Sequence, residues 1–147
     1  MHSRVLMTAS AVYLLAGGVV LSFLPREVAA SVGLAGAPAG ALLLQVVAAL
    51  YLGMGISNWM WRGNVIGGIY GRPIGVGNVA HFAIGAIALG RATVGGLVPP
   101  SIWSITALYI VFALAFAWTV FFRKPFASGG GTASPGGGTT ADAGTGP

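Results

Sequence analysis

The sequence predicts an all-α integral membrane protein, a bundle of four antiparallel transmembrane helices followed by a disordered C-terminal tail. Three observations carry this expectation. Of the 147 residues 56% are apolar and only 6% charged, against roughly a quarter charged in water-soluble domains. The apolar residues gather into four runs of about the length that crosses a bilayer. The seven Lys and Arg fall between or beside those runs, where helix ends meet headgroups.

The first run, Val5 to Leu24, covers 20 residues and spans about 30 Å as a helix. Pro25-Arg26-Glu27 is expected to stop it, because proline interrupts the hydrogen-bond ladder and two charges mark the return to water. The run is too long and too badly flanked for a cleaved signal, so it is read as a retained helix. Ala29 to Gly40 is small and rich in Gly and Pro, which marks a connection. The second run, Leu42 to Trp61, ends in Trp59 and Trp61 followed by Arg62, an interfacial signature.

Between Arg62 and Pro73 four glycines break an apolar stretch that also holds Asn64, Tyr70 and Arg72, and a loop lying on the membrane is expected. The third run, Ile74 to Leu89, has 16 residues, about 24 Å, so it is expected to be short, to begin within Arg72-Pro73 or to sit where the bilayer thins. Gly95-Gly96 and Pro99-Pro100 follow it, and the fourth run, Ile102 to Phe122, closes in Arg123-Lys124. Residues 1–126 thus form the transmembrane domain. In 127–147, eight glycines with Ser, Thr, Ala and Pro and no aromatic residue offer too little apolar surface to offset ordering entropy.

Four spans put Arg4, Arg62, Arg72, Arg123 and Lys124 on one side and Arg26 and Arg91 on the other, which predicts cytoplasmic termini. Small residues on each span, Gly17-Gly18, Ala49 and Gly53, Gly77 and Gly85, and Ala113 and Ala117, are expected to let the helices approach closely.

Reactive groups are scarce. There is no cysteine, and Glu27 and Asp142 are the only carboxylate side chains, so thiol chemistry, disulfides, a carboxylate pair and a carboxylate-rich metal cage are excluded within one chain. No catalytic residue, cofactor site or metal site is assigned. His81 alone does not make a bis-histidyl haem, and Gly67-Gly68-Ile69-Tyr70-Gly71 lacks the Lys-Ser/Thr ending of a phosphate loop. No run of Lys or Arg alternates with aromatic residues, which argues against nucleic acid despite a net charge of +5.

Polar residues inside spans are Thr8, Ser10, Gln45, Asn58, Asn78 and His81, with several hydroxyls in the fourth. Such residues need a partner or a cavity. Asn58, Asn78 and His81 lie at similar depth, about 5, 6 and 10 Å inside one end of their helices. Asn78 and His81, three apart, share a helix face with Gly85. Two readings follow. One is hydrogen bonding between helices; the other is a polar pocket facing the cytoplasm, rimmed by Arg62, Arg72 and Tyr70 and suited to a phosphate, an anionic headgroup or a quinone carbonyl.

The order of features, with Pro25-Arg26-Glu27-Val28 after the first helix, a following Leu-Gly region, Gln45 in a Gly-rich second helix, a basic loop and two more helices, resembles the small four-helix bacterial membrane proteins grouped as DoxX-like or related families of unknown function. The resemblance covers residues 1–126, implies a four-helix fold in a bacterial cytoplasmic membrane and carries over no catalytic residue. The leading expectation is a non-enzymatic component, either an accessory subunit of a membrane complex or a small homo-oligomer. The alternative is a binder or transporter of a lipid, a quinone or another small molecule.

Overall fold

The computed structural model describes residues 2–37, 39–64 and 71–122. The chain forms α1 (His2–Phe23), a short α2 (Pro25–Ser31), α3 (Gly40–Trp61), α4 (Gly71–Val94) and α5 (Ile102–Ala117), the last continuing as a π-helical turn over Trp118–Phe122. Four helices are long and apolar enough to cross a membrane, the fourth being Ile102–Phe122 as a whole. The tail expected over 127–147 and the loop residues 65–70 lie outside the described residues.

Two boundaries differ from the sequence-based reading. Of the alternatives for the third span, the early start is the one found, one residue before Arg72, and the helix also continues past Leu89 to Val94, so α4 runs over 24 residues, about 36 Å. Pro73 falls in its first turn, where a missing N–H removes no helical bond. At the other end Arg91 lies in the last turn, where a cation favours the helix dipole and its long side chain reaches the interface. The helix stops at Gly96, whose φ of 70° lets Leu97 N donate to Ala92 O at 2.9 Å and Gly96 N to Thr93 O at 3.2 Å, a Schellman ending. Pro25-Arg26-Glu27, expected only to stop α1, also starts α2. The chain leaves helical geometry at Leu24 (φ −123°, ψ 44°), and Pro25 at the first position with Glu27 in the first turn launches seven more residues that rest on α3.

Polarity is distributed inside out. Ser10, Asn58, Asn78 and Thr106 are at most 1% exposed, whereas Phe23, Leu42, Leu50 and Ile84 face outward. In water this arrangement would lose both the hydrophobic and the solvation terms; in lipid it is the favourable one. The chain is a multi-pass membrane protein.

Packing follows side-chain size. α1 lies closest to α3 and α4 closest to α5, while α3 touches α4 and α1 touches α5 more lightly. The α1–α3 seam is built from small residues. A Cβ on Gly55 would sit 2.8 Å from Leu15 Cγ and 3.1 Å from the Leu15 backbone N, and one on Gly18 would sit 2.8 Å from Leu52 Cγ. Gly18 is thus a seam residue as the sequence suggests. In α3 the seam residues are Ala48 and Gly55, because Ala49 is exposed and Gly53 has nothing within 4 Å. The α4–α5 seam is aromatic: Phe82 stacks on Phe112 at 4.9 Å and on Phe116 at 5.9 Å between ring centroids. The π turn adds a residue to the last turn of α5, so consecutive Thr119 and Val120 are both buried.

Gly55→Ala is expected to destabilise the fold by about 1–3 kcal/mol, since the added methyl meets backbone as well as side chain. Gly53→Ala, in open space, is expected to be neutral or stabilising. Unfolding titrations in mixed detergent micelles compare the two.

Candidate functional site

Buried residues on α4 follow 71, 75, 78, 82 and 86, the 3–4 spacing of one inward helix face. Asn78 lies on that stripe and meets Asn58 of α3 in a reciprocal amide pair: Asn58 Nδ2 donates to Asn78 Oδ1, and Asn78 Nδ2 to Asn58 Oδ1, both at 2.7 Å. The second N–H of Asn58 reaches Ser10 Oγ of α1 at 3.1 Å, and that of Asn78 reaches Ile74 O at 2.9 Å. Ser10 Oγ in turn donates to Met7 O at 3.1 Å. Both carboxamides use every N–H within the network, so neither offers a donor to a ligand.

His81 is not part of this pair. Three residues beyond Asn78 along a helix is a rotation about 60° short of a full turn. That offset points His81 toward the cleft between α3 and α4, among Tyr51, Phe82 and Tyr109, with ring centroids 5.6, 5.0 and 5.7 Å away. Because α4 begins at Gly71, His81 lies about 15 Å along it, near the bilayer midplane. The cleft is a cavity of about 410 Å³ whose walls include His81, Tyr51, Tyr109, Leu50, Ile84 and Gly85. Its volume is in the range of small-molecule sites. The Asn pair fastens α3 to α4 at one end, and the cavity occupies the following turns, where the exposed wall residues Leu50, Ile84 and Ala88 open it to the outside of the bundle.

Gly85 shapes the floor. A Cβ there would collide with Cε1 and Cδ1 of Tyr109, so only glycine lets the Tyr109 ring lie on the α4 backbone. Tyr109 then reaches Tyr51, and the two hydroxyls hydrogen-bond to each other across the bundle. One hydroxyl hydrogen is used in that bond; the other has no acceptor among the described residues. Spans elsewhere satisfy their hydroxyls locally, as Thr93 Oγ1 does with Leu89 O, Thr106 Oγ1 with Ile102 O and Thr119 Oγ1 with Ala115 O. Among the described residues, His81 Nε2 and Trp61 Nε1 are the buried side-chain polar atoms without a partner.

The other rim candidates lie elsewhere. Arg62 folds back on its own helix end, its Nη1 donating to Trp59 O at 2.8 Å and its guanidinium 3.9 Å over the Trp59 ring. Arg72 is exposed in the first turn of α4, about 13–14 Å from the depth of His81. Tyr70 lies outside the described residues. Sequence reasoning passed over Tyr51 and Tyr109. Tyr109 shares a face with Thr106, Phe112 and Phe116, a spacing that marks an inward stripe without marking a site. No group of three or more His, Cys, Asp or Glu able to hold a metal occurs among the described residues.

No protein-family model, curated protein or solved structure matches this chain. The cleft is therefore interpreted from its own chemistry.

Asn58→Leu is expected to cost about 1–2 kcal/mol by stranding Asn78, and Asn58→Leu with Asn78→Leu to recover much of the loss. A double-mutant cycle on detergent-unfolding free energies checks the coupling.

Proposed function

We infer that this is a non-enzymatic protein of the bacterial cytoplasmic membrane, with both termini cytoplasmic, that binds a bilayer-soluble molecule in the cleft between α3 and α4. The observation that carries this reading is the polar corner that His81 and the Tyr51–Tyr109 hydroxyl pair make on the wall of an otherwise apolar cavity. Buried polar atoms ordinarily find partners, and those that do not need a reason. A lipid, a quinone or another apolar molecule carrying one polar head accepts the tyrosine hydroxyl hydrogen left without an acceptor, while its body lies along the apolar walls. The orientation rests on Arg4, Arg62 and Arg72 at one end of the bundle against Arg26 and Arg91 at the other. The resemblance to DoxX-like proteins supports the bacterial membrane.

A second reading, an accessory subunit or homo-oligomer, has its own observation. Ala49 and Gly53 on α3 and Gly77 on α4 are exposed, and the two glycines have nothing within 4 Å, which leaves small-residue positions where another helix can approach closely.

One preparation tests both. Tagged protein purified from native membranes in mild detergent is expected to carry one small apolar compound, identified by mass spectrometry of the extract. His81→Leu is expected to lose it with the fold intact, and Ala88→Phe, which fills the cavity from an exposed position, to lose it as well. Retention of the compound in Ala88→Phe would remove the cleft as the site. A stoichiometric protein with no small molecule would favour the subunit reading.

A further inference from the structure

A second recess lies on the far side of the α1–α3 pair. Val12, Ala16 and Val20 of α1 form one wall, and Ile56 and Trp59 of α3 the other, around about 690 Å³. Ala16, small and exposed between two valines, makes the surface concave. The recess continues along α1 through a further pocket between Val12 and Arg4. Arg4, Thr8, Val12 and Ala16 recur every four residues, so one helix stripe leads from a guanidinium into the groove. On α3, Ile56, Trp59 and Arg62 recur every three, and Arg62 stays on that stripe by stacking over Trp59.

The register of the two helices sets both arginines at one level. Asn58 bonds Ser10, Gly55 faces Leu15 and Gly18 faces Leu52, an antiparallel pairing that carries Arg62 to the height of residues 6–8 of α1. Arg4 is then roughly 3–6 Å away along the axis. Glu27, the carboxylate within the described residues, belongs to α2 at the opposite end. Both arginines thus lie at one end of the α1–α3 pair, Arg4 in the pocket that continues the groove and Arg62 against Trp59 of its wall. Val12 lies about 12 Å inward of Arg4 and Ala16 about 18 Å, so the stripe from Arg4 to Ala16 covers roughly one leaflet with its headgroup zone.

We propose that this groove is a binding site for an anionic phospholipid, with the headgroup between Arg4 and Arg62, the glycerol level at Trp59 and one acyl chain lying over Ala16. Net negative charge on the headgroup distinguishes this ligand from the zwitterionic bulk lipid, because among the described residues the two cations have no carboxylate at their end of the bundle. Trp59 suits the glycerol level, since indole rings favour that depth. The site is separate from the His81 cleft and does not depend on what occupies it.

Native mass spectrometry of the full-length protein in mild detergent tests the proposal, with phosphatidylglycerol and phosphatidylcholine of identical acyl chains as probes. The wild type is expected to retain phosphatidylglycerol preferentially. Arg4→Gln with Arg62→Gln is expected to weaken it about fivefold for each guanidinium, hence roughly 25-fold. The corresponding double Lys variant is expected to keep most of the preference, which separates charge from fold. Ala16→Phe, at an exposed position, fills the groove and is expected to lower phosphatidylglycerol binding with both arginines in place. Equal retention of the two lipids by the wild type, or wild-type retention by Ala16→Phe, would overturn the proposal. Inorganic phosphate held by Ala16→Phe with the same arginine dependence would reassign the site to a free anion.

Discussion

A carboxamide in hydrocarbon has no water to bond, and each of its unpaired hydrogens costs free energy that packing does not return. Asn58 and Asn78 therefore have to find each other, and their second N–H groups have to find Ser10 Oγ and Ile74 O. That requirement fixes the depth and the rotation of α1, α3 and α4 together. Apolar side chains cannot do this in a bilayer, where lipid tails are as good a neighbour as leucine. With Asn78 held inward, the α4 stripe through Phe82 and Ala86 faces the core. His81 is then left to one side, in the cleft.

Glycine and aromatic residues divide the remaining work. At the α1–α3 seam, Gly18 and Gly55 bring backbones together, and dispersion between closely fitted surfaces holds the pair. At the α4–α5 seam, the rings of Phe82, Tyr109, Phe112 and Phe116 fill the space, and each favourable pair adds about 0.5–1.5 kcal/mol beyond burial. Gly85 belongs to both schemes, since it admits a ring onto a backbone.

The span 102–122 coincides with the sequence-based reading because its apolar run is uninterrupted. Span 74–89 grows into Gly71–Val94 because Pro73 and Arg91, read as boundaries, are tolerated in a first and a last turn. The seven-residue α2 is too short to show a period. Asn58 and Asn78 were legible as polar residues at one depth, and their pairing is one of the two outcomes that such a depth allows. What separates His81 from them is a 60° rotation, which a shared-face argument at spacing three does not resolve. Tyr51 and Tyr109 stay hidden for a different reason: their hydroxyls meet across 58 residues of chain, a relation without a local signal.

The exposed Leu50, Ile84 and Ala88 on the walls of the α3–α4 cleft open it sideways, which changes what concentration would mean for the occupant proposed above. A solute arriving from water would first have to dissolve in the bilayer, so its supply is set by its partition coefficient and its encounters by diffusion in two dimensions. Apolar compounds then arrive pre-concentrated, and fully hydrated ones are screened out before they touch the protein. Under the proposed function, much of the discrimination would be done by the surrounding lipid, leaving His81 and the tyrosine pair to choose only among molecules that are already membrane-soluble.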